Sequence, residues 1–200
     1  MRYKQLLLTT AVTLVIALAI PASAEIVRTQ VRVALPTNGA FPIDADGNGT
    51  VDFTITSKFL QAYCVGGDAF IWSVSVQPSA GNAVVSTTQQ ASSTLAAALV
   101  TGVRIGSSQS FATSSSLMAE LYWGRCGLGT AGEWLNLPNR YLGLKFYMAD
   151  HTVHYGWAKV STAAYVDQNG NFYSTTMISE FAYETQPGVS LMAGQTAETP

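Results

Sequence analysis

The sequence predicts an all-β protein, an antiparallel β-sandwich of jelly-roll type. Three observations carry that prediction. The stretch from Tyr141 to Glu184 is dense in aromatic and β-branched residues, broken by turn signals at Ala149-Asp150-His151 and at Asp167 to Asn171, and reads as four consecutive strands. Shorter runs of the same kind recur between turn residues along the chain, giving roughly nine or ten strands with no internal repeat. Charged residues make up only 11% of the sequence, and almost nothing in it repeats at helical spacing.

Taken in order, the chain opens on an export signal. Arg2 and Lys4 form a basic head, Leu6 to Ile20 is an uncharged apolar run, and Pro21 precedes the small-residue cleavage pattern Ala22-Ser23-Ala24. The apolar run is shorter than the roughly 20 residues that a membrane span needs. Residues 1–24 are therefore read as a signal peptide cut after Ala24, with no membrane span after cleavage. The protein is expected to be secreted, extracellular or periplasmic. Residues 25–194 form a single β-sandwich domain, and 195–200 a frayed tail. The mature chain keeps eight Lys/Arg against twelve Asp/Glu, a net charge of −4. With no basic cluster, nucleic acid and anionic membrane surfaces are poor partners for it.

Glu25 to Leu35 is the first expected strand, with Val31, Val33 and Leu35 on one face. A second alternation, in which Val51, Phe53 and Ile55 face inward, follows a polar loop, and Ala69 to Val76 makes a third. Residues 86–116 differ in kind: Ser and Thr fill 14 of these positions, and Arg104 is their only charge. That segment is either a surface excursion or a pair of irregular edge strands, and Leu95 to Val100 offers one or two helical turns capped by Thr94. Strand character resumes at Leu117 to Trp123. A Gly-rich segment, 124–132, then leads into the Tyr141–Glu184 stretch. Pro187-Gly188 turns the chain into a last short strand, Val189 to Met192.

The polar loop is the sharpest local signal. In Asp44-Ala45-Asp46-Gly47-Asn48-Gly49-Thr50-Val51-Asp52, oxygen side chains occupy positions 1, 3, 5 and 9, Gly takes position 6, and Thr50 offers its carbonyl at 7. This is the spacing of an EF-hand calcium loop as far as position 9. Position 12 is Ile55 rather than the bidentate Glu, and a strand follows instead of a helix. Asp44, Asp46, Asn48, Thr50 and Asp52 are thus the expected Ca2+ ligands, in a structural site completed from elsewhere or by water. An Asp/Asn/Gly turn that merely joins two strands is the competing reading. Cys64 and Cys126 are the only cysteines, and export makes a disulfide between them the expectation.

Other chemistry is harder to find. His151 and His154 fall at a hairpin, where residues three apart point to opposite faces, so they read as turn and surface residues. Glu180 and Glu184 share a strand face roughly 13 Å apart, too far for either glycosidase geometry. Glu120 and Glu133 flank the Gly-rich segment without a visible partner. No G-x-S-x-G is present to supply a nucleophile elbow. Trp72, Trp123, Trp134 and Trp157, with nine tyrosines, supply material for a sugar-stacking face, although aromatics on alternating strands mostly enter the core.

The chain also resembles a group of uncharacterised secreted bacterial proteins. The resemblance rests on Tyr141-Leu142-Gly143-Leu144-Lys145-Phe146, His154-Tyr155-Gly156-Trp157-Ala158, Phe181-Ala182-Tyr183-Glu184, Pro187-Gly188 and Ala193-Gly194, together with the loop from Phe41 to Phe53. Many members of that group are similar to substrates of the PEP-CTERM sorting system, whose Pro-Glu-Pro motif, apolar helix and basic tail are missing after Glu198-Thr199-Pro200. The resemblance implies a lectin-like or jelly-roll sandwich and carries no catalytic residue. The resulting expectation is an exported, non-catalytic binding or matrix-type module with a calcium loop, its partner an extracellular glycan or matrix component. A secreted polysaccharide hydrolase and a self-associating surface or biofilm protein are the alternatives.

Overall fold

Alternating sequence runs become fourteen strands in the computed structural model, which describes residues 24–90 and 93–197. The expected signal peptide up to Ser23, and the end of the expected frayed tail, lie outside the described residues. In chain order the strands are β1 (Ile26–Leu35), β2 (Ala40–Ile43), β3 (Phe53–Cys64), β4 (Gly67–Pro78) and β5 (Ala83–Gln90). Then come β6 (Ser93–Ala96), β7 (Arg104–Ile105), β8 (Phe111–Ala112), β9 (Ser116–Gly124) and β10 (Gly129–Gly132). The last are β11 (Leu137–Tyr147), β12 (Val153–Val166), β13 (Phe172–Glu184) and β14 (Leu191–Met192).

The fold is all-β, with no helix among the described residues. Twelve strands join one mostly antiparallel sheet in the order β1-β13-β12-β11-β5-β6-β9-β4-β3-β2, with β8 on β5 and β10 on β9. This sheet folds over on itself and nearly closes, its two halves facing each other as the layers of a sandwich. Strand β5 makes the bend, since Val84 pairs with Leu144 of β11 while Thr87 pairs with Leu95 of β6. At the other side, β1 and β2 end the two layers and are joined by a short corner in which the Gly39 N–H donates to the Pro36 carbonyl. β1 carries a bulge between Gln30 and Val33, where Arg32 has φ 52°.

Between the layers lies the main core. Phe53, Ile55, Trp72 and Val74 from one half meet Leu142, Leu144, Phe146 and Ile178 from the other, all essentially inaccessible to water. Phe53 meets Phe146 edge-on at 6.5 Å between ring centroids, and Trp123 stacks on Phe172 at 4.6 Å. A second apolar cluster covers the outer face of β11, β12 and β13. There Tyr141, Tyr155, Trp157 and Ala182 are roofed by Ala97, Ile105, Leu191 and Ala193, with β7 and β14 pairing as a two-stranded lid. Tyr141, Tyr155, Trp157 and Ala193 of the YLGLKF, HYGWA and AG motifs converge on this cluster, while Leu142, Leu144, Phe146 and Ala158 enter the main core. Tyr141 meets Trp157 edge-on, and Gly194 packs so close to the Tyr141 ring that a Cβ would approach it to 2.7 Å.

The structure corrects several expectations. Tyr141 to Glu184 contains three strands, not four, because two turns can divide it only into three: Met148 to Thr152 and Asp167 to Asn171. The segment 95–100 has no helical turn. Leu95 pairs with Leu117 of β9, and the Ala97 N–H donates to Val85, so the sheet takes backbone groups that a helix would use. Irregular strands are therefore the form that the Ser/Thr-rich segment takes. Val51 is exposed, leaving Phe53 and Ile55 as the inward residues of β3. The second strand also runs on to Cys64, making with β4 a long hairpin whose turn is Val65-Gly66.

Candidate metal centre

The loop from Asp44 to Asp52 connects β2 to β3, and the flanking strands fix its two ends. Ile43 pairs with Phe53, and the Asp52 N–H donates to the Ile43 carbonyl at 2.8 Å. Ala45 is buried and packs with the main core, so the loop curls inward rather than projecting. Gly47 and Gly49 take φ of 74° and 87°, the left-handed values that let backbone N–H groups turn toward one point. That point is the Asp44 carboxylate. Its Oδ1 accepts from Gly47 and Asn48, and its Oδ2 accepts from Gly49 at 2.7 Å.

Three of the five expected ligands converge as carboxylates. One oxygen from each of Asp44, Asp46 and Asp52 lies within 4.8 Å of the others. Asn48 spends its amide inside the loop, donating to Asp46 Oδ2 at 2.9 Å and accepting the Thr50 N–H at 2.7 Å. Thr50 itself is exposed. Asp52 is the anchor: it is only 5% exposed, Oδ2 accepts from the Ala45 N–H and Oδ1 from the Asn82 side-chain amide. Asn82 in turn accepts the Tyr147 N–H, tying the loop to β11. Sequence reading missed Asn82, which lies 30 residues away and carries no local motif.

The electrostatics are those of a crowded acidic loop. Burial pushes the Asp52 carboxyl above the ordinary carboxylate value, and the charges of Asp46 and Asp44 add to that rise against the two hydrogen bonds that oppose it. Among the described residues no Lys or Arg forms an ion pair with any of the three carboxylates; both ion pairs converge on Glu180 instead, from Arg28 and Lys159. Asp44 Oδ1 is filled by two N–H groups, but each of the three carboxylates keeps at least one oxygen with lone-pair capacity left for a hard cation. Both oxygens of Asp52 are held inside the fold, by the Ala45 N–H and the Asn82 amide, so its carboxyl anchors the loop to its surroundings.

The remaining sequence candidates do not assemble into a second centre. His154 is buried, not superficial: Nδ1 lies 2.9 Å from the Glu184 carbonyl and Nε2 2.8 Å from the Thr152 hydroxyl, while His151 is exposed in the turn. Trp72, Trp134 and Trp157 are fully buried and Trp123 half-buried, so none of them is an open platform. The exposed aromatics are tyrosines. Tyr165 and Tyr173, paired across β12 and β13, stack at 5.0 Å with an interplanar angle of 18°. They edge a shallow apolar depression of about 230 Å³ with Ala163 and Thr175. Cys64 and Cys126 are bonded and tie the β3–β4 turn to the turn between β9 and β10. No protein-family model, curated protein or solved structure matches this chain.

Proposed function

We propose that this chain is an exported, non-catalytic extracellular binding or matrix-type module, stapled by calcium at the Asp44–Asp52 loop, with glycan as its ligand class. The carboxylate cluster carries the reading. Three acidic groups within 4.8 Å, without an ion-paired cation among the described residues, repel one another until a cation joins them. The loop spacing and the hardness of carboxylate oxygen favour calcium, at the weak affinities of extracellular modules because position 12 is Ile55. The ion would tighten the link between β2 and β3 rather than activate a substrate. For the ligand, the exposed Tyr165–Tyr173 stack supports a sugar-binding face, since such rings are flat apolar surfaces with a polar tip. The export signal and the resemblance to secreted bacterial proteins support the location.

A thermal melt in millimolar calcium against excess chelator tests the ion. At a hundred times its dissociation constant, calcium should add roughly 2.7 kcal/mol, a rise of several degrees. Asp46→Ala should abolish that rise, and identical melts in all conditions would sink the calcium assignment. Glycan screening of the same protein, with Tyr173→Ala as control, tests the face.

A further inference from the structure

We propose that removal of the signal peptide completes the fold chemically: the α-ammonium created at Glu25 becomes the counter-charge of the buried Glu184 carboxylate. The proposal rests on the cleavage after Ala24 that the export reading assumes. In the intact chain the Glu25 backbone N–H donates to Glu184 Oε1 at 3.2 Å and to the Thr185 hydroxyl oxygen at 3.1 Å. Thr185 returns its own N–H to the Glu25 carbonyl at 2.9 Å, so the start of β1 is pinned against the end of β13 from both sides.

Glu184 is the unusual partner. It is 2% exposed, and Oε1 also accepts the Gln186 N–H at 2.8 Å. Among the described residues it forms no ion pair with a Lys or Arg, although a buried carboxylate is costly without a positive partner. The nearby His154 turns its Nδ1 to the Glu184 carbonyl, not to the carboxylate. A signal peptidase using water breaks the Ala24–Glu25 C–N bond; hydroxide adds to the Ala24 carbonyl carbon and the freed nitrogen takes protons to become –NH3⁺. The single amide donor that meets two acceptors today is then replaced by three donors carrying a full charge, at the same atom. The amide N–H to carboxylate bond is already charge-assisted; the ammonium adds a full positive charge beside the buried carboxylate and turns the contact into a salt bridge. Maturation thus strengthens the seam between first and last long strands.

The test uses chains released from an N-terminal fusion without scar, one beginning at Glu25 and one keeping Ala22-Ser23-Ala24. The Glu25 chain should melt about 3–8 °C higher. In a Glu184→Gln background, or with the Glu25 α-amine acetylated if that variant fails to fold, the difference should shrink to a degree or two. Equal melts of the two chains, or an undiminished difference in either test, would overturn the pairing. Mass spectrometry of the exported protein reads the cut independently: a start other than Glu25 would overturn the maturation step even where the defined chains behave as expected.

Discussion

Asp52 shows how one residue can serve a strand and a loop together. It ends the acidic loop, precedes β3, and holds Asn82 across the turn between β4 and β5. Its pKa is raised, so the folded state favours the neutral form more than the unfolded chain does. For this group the metal-free domain is most stable below the ordinary value of 3.8, and that contribution is lost as pH climbs through the raised value. A bound cation reverses the preference, because it favours the ionised form. The calcium-induced rise in melting temperature should therefore shrink between neutral pH and about pH 4, as protons compete for the site. A rise that stays constant over this range would mean that Asp52 is no ligand. The sequence made the loop legible because its acidic residues are all local. It left His154 illegible, since burial between Phe146 and Tyr183 depends on strands that meet only in the fold.

Among the elements, β12 explains what the HYGWA motif is for. Its odd residues, Tyr155 and Trp157, enter the outer cluster, while Ala158 and Val160 enter the main core. Both faces are therefore buried, and a residue without a side chain is needed where β13 comes closest. A Cβ on Gly156 would lie 2.5 Å from the Ala182 carbonyl oxygen, which is backbone and cannot step aside. Gly156→Ala should cost about 1–3 kcal/mol, read in urea or thermal unfolding. Gly66→Ala, whose Cβ would meet Arg125 at 3.6 Å, should be nearly neutral. The residues Tyr155, Gly156, Trp157 and Ala158 thus serve the packing of the sheet. Periodicity made these strands readable, but not the long β3–β4 hairpin. Beyond Ser57 that hairpin keeps Phe59 against the main core, but the exposed Leu60, Tyr63 and Val65 obscure the alternation.

At the scale of the molecule, the sheet relies on one covalent tie. The Cys64–Cys126 bond spans 62 residues and joins two turns at the same end of the sandwich, with Cα atoms 6.3 Å apart. Beneath it Phe59, Phe70, Trp123 and Phe172 stack in sequence at 4.6–6.1 Å. Loop-closure entropy for that span gives roughly 4 kcal/mol. Replacing both cysteines by serine should remove about 2–4 kcal/mol in equilibrium unfolding, and added reductant should then change nothing further. Fold class was legible because β patterning is written along each strand. The fold-back of the sheet was not, because it depends on β5 changing partners midway, from Leu144 to Leu95, at the start of the Ser/Thr-rich segment.

The way the sheet ends bears on the company this protein can keep. Among the described residues β1 and β2 are the ends of the main strand order, and both are poor templates for a neighbour's backbone. β2 is four residues long and contains Pro42, which has no N–H to offer. β1 is kinked by its bulge, and Arg28 and Arg32 put charge along it. Strand addition at these two ends of the sheet is therefore disfavoured. Were two copies to associate, exposed side chains such as the Tyr165–Tyr173 stack would offer a better surface than either of these edges, and such a contact would come apart without unravelling the fold.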